Sequence, residues 1–317
     1  MHSALHEGLD PEVAAVLAAA VANGAPELYR LSPAEARARY LLGMSAVMGP
    51  APHVWRVGDT VIPGPGGELT LRLYRPRDGL LPALVFFHGG GWSFGGLDTH
   101  DRLCRWLCRL SGCLVAAVDY RLAPEHKFPA AVEDAVAATR WVAQHASAIG
   151  VDPARLAVGG DSAGANLAAV VALNARDAGA PAVRFQLLIY PAVDMTMSSP
   201  SHAHFGDGYR LTRPQMVWSC ANYLRDGGDL LDPRASPLFA EDHSRLPPAL
   251  IVTAEFDPLR DEGQRYAAAL TNRGSAVTYH CEKGMIHGFV GMTGAVGRAR
   301  TVLSRMATSL RVALSEV

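Results

Sequence analysis

Three side chains far apart in this chain, Ser162, Asp257 and His287, have the types that could carry out nucleophilic acyl chemistry together. A serine hydroxyl needs a general base to take its proton. The base in turn needs an acceptor that fixes its tautomer and stabilises the imidazolium. Ser162 lies in Gly160-Asp161-Ser162-Ala163-Gly164, a G-x-S-x-G pattern that puts a serine on a tight strand-to-helix turn. A glycine two residues away on either side leaves such a turn the room it needs, and the helix that follows aims unpaired N–H groups toward negative charge forming at the serine. The pentapeptide alone also fits a helix start with a capping serine, so the weight falls on its partners.

Asp257 and His287 each stand in a loop after a predicted strand. Asp257 stands in Glu255-Phe256-Asp257-Pro258-Leu259-Arg260-Asp261, after a strand predicted over Ala249–Thr253. His287 stands in Met285-Ile286-His287-Gly288-Phe289, after a strand predicted over Ala276–Cys281. Singly, Asp257 reads as a helix cap and His287 as one of 12 histidines. Together, behind an elbow serine and in the chain order Ser, Asp, His that suits an open α/β sheet, they predict a catalytic set. Glu255 and Asp261 are reserve acids, with Asp261 one turn into a helix and pointing away from the strand end.

A third loop, His88-Gly89-Gly90-Gly91-Trp92, follows a continuous apolar strand at Ala83–Phe87. Consecutive glycines let backbone N–H groups come close to a developing oxyanion. A phosphate cradle is disfavoured, because no Gly-Lys-Ser/Thr ending and no G-x-G-x-x-G spacing is present. His88 is predicted to anchor this loop by hydrogen bonding rather than to serve as the base.

The elements that must position these loops alternate along the chain. A hairpin over Val54–Pro63 and Glu68–Tyr74 precedes the strands at Ala83–Phe87, Leu114–Val118, Leu156–Val158, Arg184–Tyr190, Ala249–Thr253 and Ala276–Cys281. Helices are predicted over Asp98–Ser111, Ala130–Ala148 and Ala163–Ala178, from the 250s to Arg273, and at the C-terminal end. This pattern is that of a mostly parallel α/β sheet covered on both faces, with its ligand site at the carboxyl ends of the strands. The segment Pro11–Gly49 is helical with a break at Asn23–Pro26 and no strand of its own, so it is expected to pack over the rest. Residues 191–248 are too long for a connection and predict an insertion with helices, one of them capped at Thr212.

The chain has 317 residues, 49% hydrophobic and 19% charged, with a net charge of -1. No basic run suggests nucleic acid. The apolar run Val13–Ala22 is too short to span a bilayer and follows Glu7, Asp10 and Glu12 rather than Lys or Arg, so neither stable membrane insertion nor a secretory signal is expected. Five cysteines give neither an even framework nor metal-ligand spacing; Cys104 and Cys108, four apart, predict one shared helix face. A reducing, cytoplasmic setting is expected.

These motifs, with Tyr120-Arg121-Leu122-Ala123-Pro124-Glu125, resemble the hormone-sensitive-lipase-like branch of the α/β-hydrolases, over residues from about 50 to the C-terminus. The resemblance implies Ser162 as nucleophile, His287 as base and Asp257 as its orienting acid. It implies an oxyanion hole from the N–H groups of Gly90, Gly91 and Ala163, no cofactor and no metal. It divides the chain into a catalytic domain, 51–317, and a cap made of residues 1–50 and an insertion at 195–231. Trp92, Phe94, Trp218 and Phe289 are then pocket walls. The activity implied is hydrolysis of short- to medium-chain acyl esters, by a protein whose relatives often form homodimers. A binding protein on the same scaffold, or a lactonase, amidase or dehydratase using the same machinery, are the rival readings.

Overall fold

The computed structural model describes residues 7–315; the first six residues of the expected cap segment lie outside them. Its strands are β1 (Arg56–Gly64), β2 (Gly67–Arg75), β3 (Leu81–Phe87), β4 (Leu114–Val118), β5 (Val151–Asp161), β6 (Val183–Ile189), β7 (Ala249–Phe256) and β8 (Val277–Ile286). They form one sheet in the order β1-β2-β4-β3-β5-β6-β7-β8. β1 and β2 make the expected antiparallel hairpin, β2 runs antiparallel to β4, and every later pairing is parallel.

The apolar run of β3 is continuous because both of its faces are covered. Ala83, Val85 and Phe87 enter one core, Leu84 and Phe86 the other, as period-two alternation requires of an interior strand. The covering helices are α3 (Leu97–Ser111), α4 (Ala130–Gln144), α5 (Ala163–Ala178), α8 (Arg260–Asn272) and α9 (Gly297–Ala313). On α3 the buried residues Leu103, Cys104, Leu107, Cys108 and Ser111 recur at helical spacing. Cys104 and Cys108 therefore share the inner face as free thiols, and burial pushes the Cys108 thiol up to about 12.

Several boundaries differ from the sequence reading, among them β5, predicted over Leu156–Val158 and found over Val151–Asp161. β7 and β8 run on to Phe256 and Ile286, because they stay paired across an irregularity between Ala254 and Phe256. Their extra length is written in polar residues of an edge strand, where Lys283 pairs with Glu255 at 2.8 Å. Helix α4 stops at Gln144 rather than Ala148, because Gly150 at φ 65° turns the chain back and Val151 N–H bonds the Ala146 carbonyl at 2.7 Å.

Two segments lie outside this sandwich. The first holds α1 (Pro11–Ala22) and α2 (Pro33–Val47), the second a capping box in which Ser32 and Glu35 satisfy each other's N–H groups. Both dock on the far end of the chain: Asp10 N–H donates to the Gly284 carbonyl at 3.1 Å, Gly297 N–H to Glu12 at 2.7 Å, and Gly294 N–H to the Val47 carbonyl at 3.0 Å. The second segment, residues 191–248, carries α6 (Ser201–His204) and α7 (Arg213–Tyr223), the latter capped by Thr212 as expected. Among the described residues, no helix is long and apolar enough to cross a membrane.

Candidate active site

The serine elbow is built by steric exclusion. β5 ends at Asp161, Ser162 takes φ 56° and ψ -120°, and α5 starts at Ala163. A Cβ on Gly164 would run into the Phe87 carbonyl, and one on Gly160 into both that carbonyl and the Gly164 backbone. The two glycines thus let the elbow sit directly on the end of β3. Ser162 N–H is held by the Ile189 carbonyl at 2.8 Å.

The structure brings the other two candidates to this serine. β7 delivers Asp257, fully buried, whose Oδ1 accepts the Leu259 N–H at 2.8 Å. β8 delivers His287, whose Nδ1 lies 2.8 Å from Asp257 Oδ2 and whose Nε2 lies 2.9 Å from Ser162 Oγ. Because a carboxylate only accepts, Nδ1 carries the proton and Nε2 is free to accept from the serine hydroxyl. The reserve acids are engaged elsewhere: Glu255 with Lys283 and the Gly284 N–H, Asp261 with Arg260 and the Ser201 N–H.

The loop after β3 runs past this relay with three successive left-handed residues: Gly90 at 129°, Gly91 at 54° and Trp92 at 54°. A Cβ on Gly90 would meet the Phe94 carbonyl. The loop is pinned from below. Gly89 N–H donates to Asp161 Oδ1 at 2.9 Å, and the Tyr120 hydroxyl donates to the His88 carbonyl at 2.7 Å. The His88 ring stacks on Tyr120 with centroids 4.2 Å apart and turns Nδ1 to the Gly89 carbonyl at 2.8 Å. Burial and the neighbouring His100 push His88 down to about 3, so it is a poor proton acceptor and fits the anchoring role. His100 Nε2 stands 3.1 Å from Asp161 Oδ1. Burial opposes charge on Asp161, yet the His100 ring, the Gly89 N–H and the His88 ring hold its carboxyl below the ordinary value.

Ser162, His287, Gly90, Gly91 and Ala163 border one cavity of about 1100 Å³. Ala163 N–H is the first of its helix, so it has no acceptor within that helix. The cavity roof comes from both outlying segments, with Leu17, Val21 and Met44 from the first and Met195, Met197 and Met216 from the second. Trp92 and Phe94 are also in its wall. Trp218 and Phe289, expected as walls, are not. Helix α7 turns Gln215, Met216, Ser219 and Cys220 to the cavity, one stripe at helical spacing, which leaves Trp218 to stack behind Phe94 at 6.3 Å. Phe289 is fully buried after the left-handed turn at Gly288, edge-on to Tyr190 at 6.1 Å.

Several contributors carried no signal in spacing or motif. Arg37 on α2 donates to the Ser93 carbonyl at 2.9 Å and the Ala123 carbonyl at 3.1 Å and pairs with Glu125 at 2.6 Å, fastening the first segment to the glycine loop. Tyr190 lies 4.7 Å from the His287 ring, and Arg210 lines the cavity beside Gly288. Among the described residues, six non-glycines have left-handed φ, and five of them, Trp92, Ser162, Tyr190, Met197 and Arg210, border this cavity. Backbone strain collects where surrounding structure over-determines a site.

Residues 84–291 match the family described as the α/β hydrolase fold. The chain is 50% identical over 279 residues to the carboxylic ester hydrolase LipN of Mycobacterium tuberculosis, covering 86% of this chain and 74% of that one. It is 38% identical over 303 residues to the ethyl acetate hydrolase of Pseudomonas putida, covering 92% and 95%. Among solved structures, a thermostable esterase from Pseudomonas putida superposes with a TM-score of 0.95 at 41% identity, covering 99% of this chain and all of that one.

Proposed function

We propose, because this chain belongs to the α/β hydrolase fold family and to its hormone-sensitive-lipase-like branch, that it is a serine carboxylesterase acting on short- to medium-chain acyl esters. The observation that carries the reading is the relay Asp257–His287–Ser162, with links of 2.8 and 2.9 Å, opening on a cavity next to the glycine loop. Relatives named as carboxylic ester hydrolase and ethyl acetate hydrolase support ester hydrolysis as the activity.

The mechanism follows from the atoms. Ser162 Oγ attacks the ester carbonyl as its proton passes to His287 Nε2, while Asp257 holds Nδ1–H and stabilises the imidazolium. The tetrahedral oxyanion is received by N–H groups of Gly90, Gly91 and Ala163. The alcohol leaves with the proton from Nε2, and a water activated by the same nitrogen then frees the acid from Ser162. Only side-chain and backbone groups act in this sequence, so it calls for no cofactor. The methionines and aliphatic side chains of the roof suit an acyl chain. The five free cysteines support a reducing, cytoplasmic location.

The test is turnover of p-nitrophenyl esters from acetate to palmitate by the parent protein and by Ser162→Ala. Turnover peaking at short or medium chains and lost in the variant is expected. Equal turnover by a folded Ser162→Ala protein would refute the mechanism, and a maximum at palmitate would refute the chain-length assignment.

A further inference from the structure

Arg210 is a half-buried cation of the cavity wall with no counterion. Among the described residues it makes no ion pair; its Nη2 donates instead to Met44 Sδ at 3.0 Å, and thioether sulfur is a weak acceptor. The carboxylates that share the cavity wall are taken or apart. Asp161 holds Gly89 and His100, Asp194 holds Thr196, Ser198 and Arg265, and Glu262 holds His202 and two backbone N–H groups. Asp207, three residues earlier, and Glu27 both stand at the exposed rim, and among the described residues neither makes an ion pair with Arg210. Arg102, in the same wall, repeats the pattern: Nη1 reaches Met48 Sδ at 3.6 Å, and its Nε is buried with no partner.

A half-buried guanidinium on a cavity wall leaves donors free for a ligand, and a bidentate carboxylate is the acceptor that matches its fork. The chain also holds Arg210 in place at some conformational cost, with φ at 72°.

Its position fixes which half of the substrate it meets. Arg210 Nε stands 3.5 Å from where a Cβ on Gly288 would lie, beside the residue that follows His287. His287 Nε2 hands its proton to the departing alkoxide, so the alcohol half of an ester lies on the histidine side. Resting on the esterase reading above, we propose that Arg210 is a specificity determinant for esters whose alcohol half carries a carboxylate, that is, short acylated hydroxy acids. Water adds across the acyl C–O bond of such a substrate, releasing the acid and the free hydroxy acid, with no redox change.

The experiment measures kcat/KM for O-acetyl-lactate and for its neutral counterpart O-acetyl-lactamide, in the parent, Arg210→Gln and Arg210→Lys, with monoethyl succinate as an ester charged on the acyl side. The charged-to-neutral ratio is expected to fall about ten- to hundredfold in Arg210→Gln, the range of a lost hydrogen bond to a charged group, and to fall through KM. Arg210→Lys should restore part of it, and rising salt should lower the parent's ratio. An unchanged ratio in Arg210→Gln, or equal losses on both substrates, would overturn the assignment. A loss confined to monoethyl succinate would overturn its placement on the alcohol side. If the parent hydrolyses the neutral ester yet shows no Arg210-dependent ratio, this proposal alone fails. If it hydrolyses none of the three but turns over p-nitrophenyl esters, this proposal alone fails; if it turns over neither, the esterase reading fails with it.

Discussion

Replacing Asp161 by asparagine keeps the shape of the elbow and removes one charge from beneath the glycine loop. Asp161 Oδ1 accepts the Gly89 N–H at 2.9 Å and faces His100 Nε2 at 3.1 Å. An asparagine oxygen can still accept from Gly89, so the loss is the difference between a charged and a neutral acceptor, about 1–2 kcal/mol. With an unfolding entropy of ~2.1 cal/mol/K per residue, a chain of 317 residues has ~0.7 kcal/mol per K, so Tm should fall by about 1.5–3 °C at neutral pH. The pH dependence has a fixed sign. The folded carboxyl is held below its ordinary value, so its stabilisation is complete above the unfolded value of about 3.9 and disappears as pH falls through the depressed folded value. The gap in Tm between parent and Asp161→Asn should be constant from about pH 5 to 8 and close below about pH 4. Because Asp161 acts through Gly89 rather than on the oxyanion, kcat should drop by about tenfold, less than the hundredfold or more expected for a lost oxyanion donor. Calorimetry across pH with steady-state kinetics on one ester gives both numbers. A gap that widens in acid, or a fall in Tm with kcat untouched, would refute this account of the loop's support.

Asp257→Asn should leave Tm nearly unchanged and lower kcat on the order of 10⁴-fold, since an amide no longer dictates which nitrogen of His287 carries the proton; a loss under about tenfold would remove Asp257 from the relay. Arg37→Met removes a partly exposed ion pair worth about 1 kcal/mol at most, together with two bonds to loop carbonyls. Its expected signature is a Tm fall of about 1.5–6 °C with kcat/KM down severalfold, and a purely thermal effect would show that Arg37 only fastens the segment.

Much of the catalytic geometry was legible because it is carried by local rules. G-x-S-x-G encodes its own turn, and the strand pattern places Gly89, Ser162, Asp257 and His287 at the carboxyl ends of β3, β5, β7 and β8, with only β6 between β5 and β7. The supporting contacts were not legible. Gly89 and Asp161 are 72 residues apart, Arg37 and Ser93 are 56 apart, and neither pair has a period or motif that announces it. Arg210 reads in the sequence as one more surface charge; only the folded cavity shows that it lacks a carboxylate. The misplaced wall residues fail for a simpler reason. The resemblance implies Trp218 and Phe289 as walls, but which face of α7 looks inward is set by what it packs against, and Phe289 turns into the core after Gly288. The strand ends beyond Thr253 and Cys281 were hidden by polar edge residues whose pairing is decided by their neighbours.

The docking of the first segment on the last also sets a timetable for synthesis. Glu12 and Gly297, joined by a hydrogen bond, are 285 residues apart, and Gly49 and Thr293 are 244 apart. Helix α2 finds part of its seat as soon as Ser93, Ala123 and Glu125 are made, whereas the Glu12 contact that ties α1 down waits for Gly297. At ~5–20 residues per second, the Glu12 contact of α1 forms on the order of ten seconds to a minute after α1 is made.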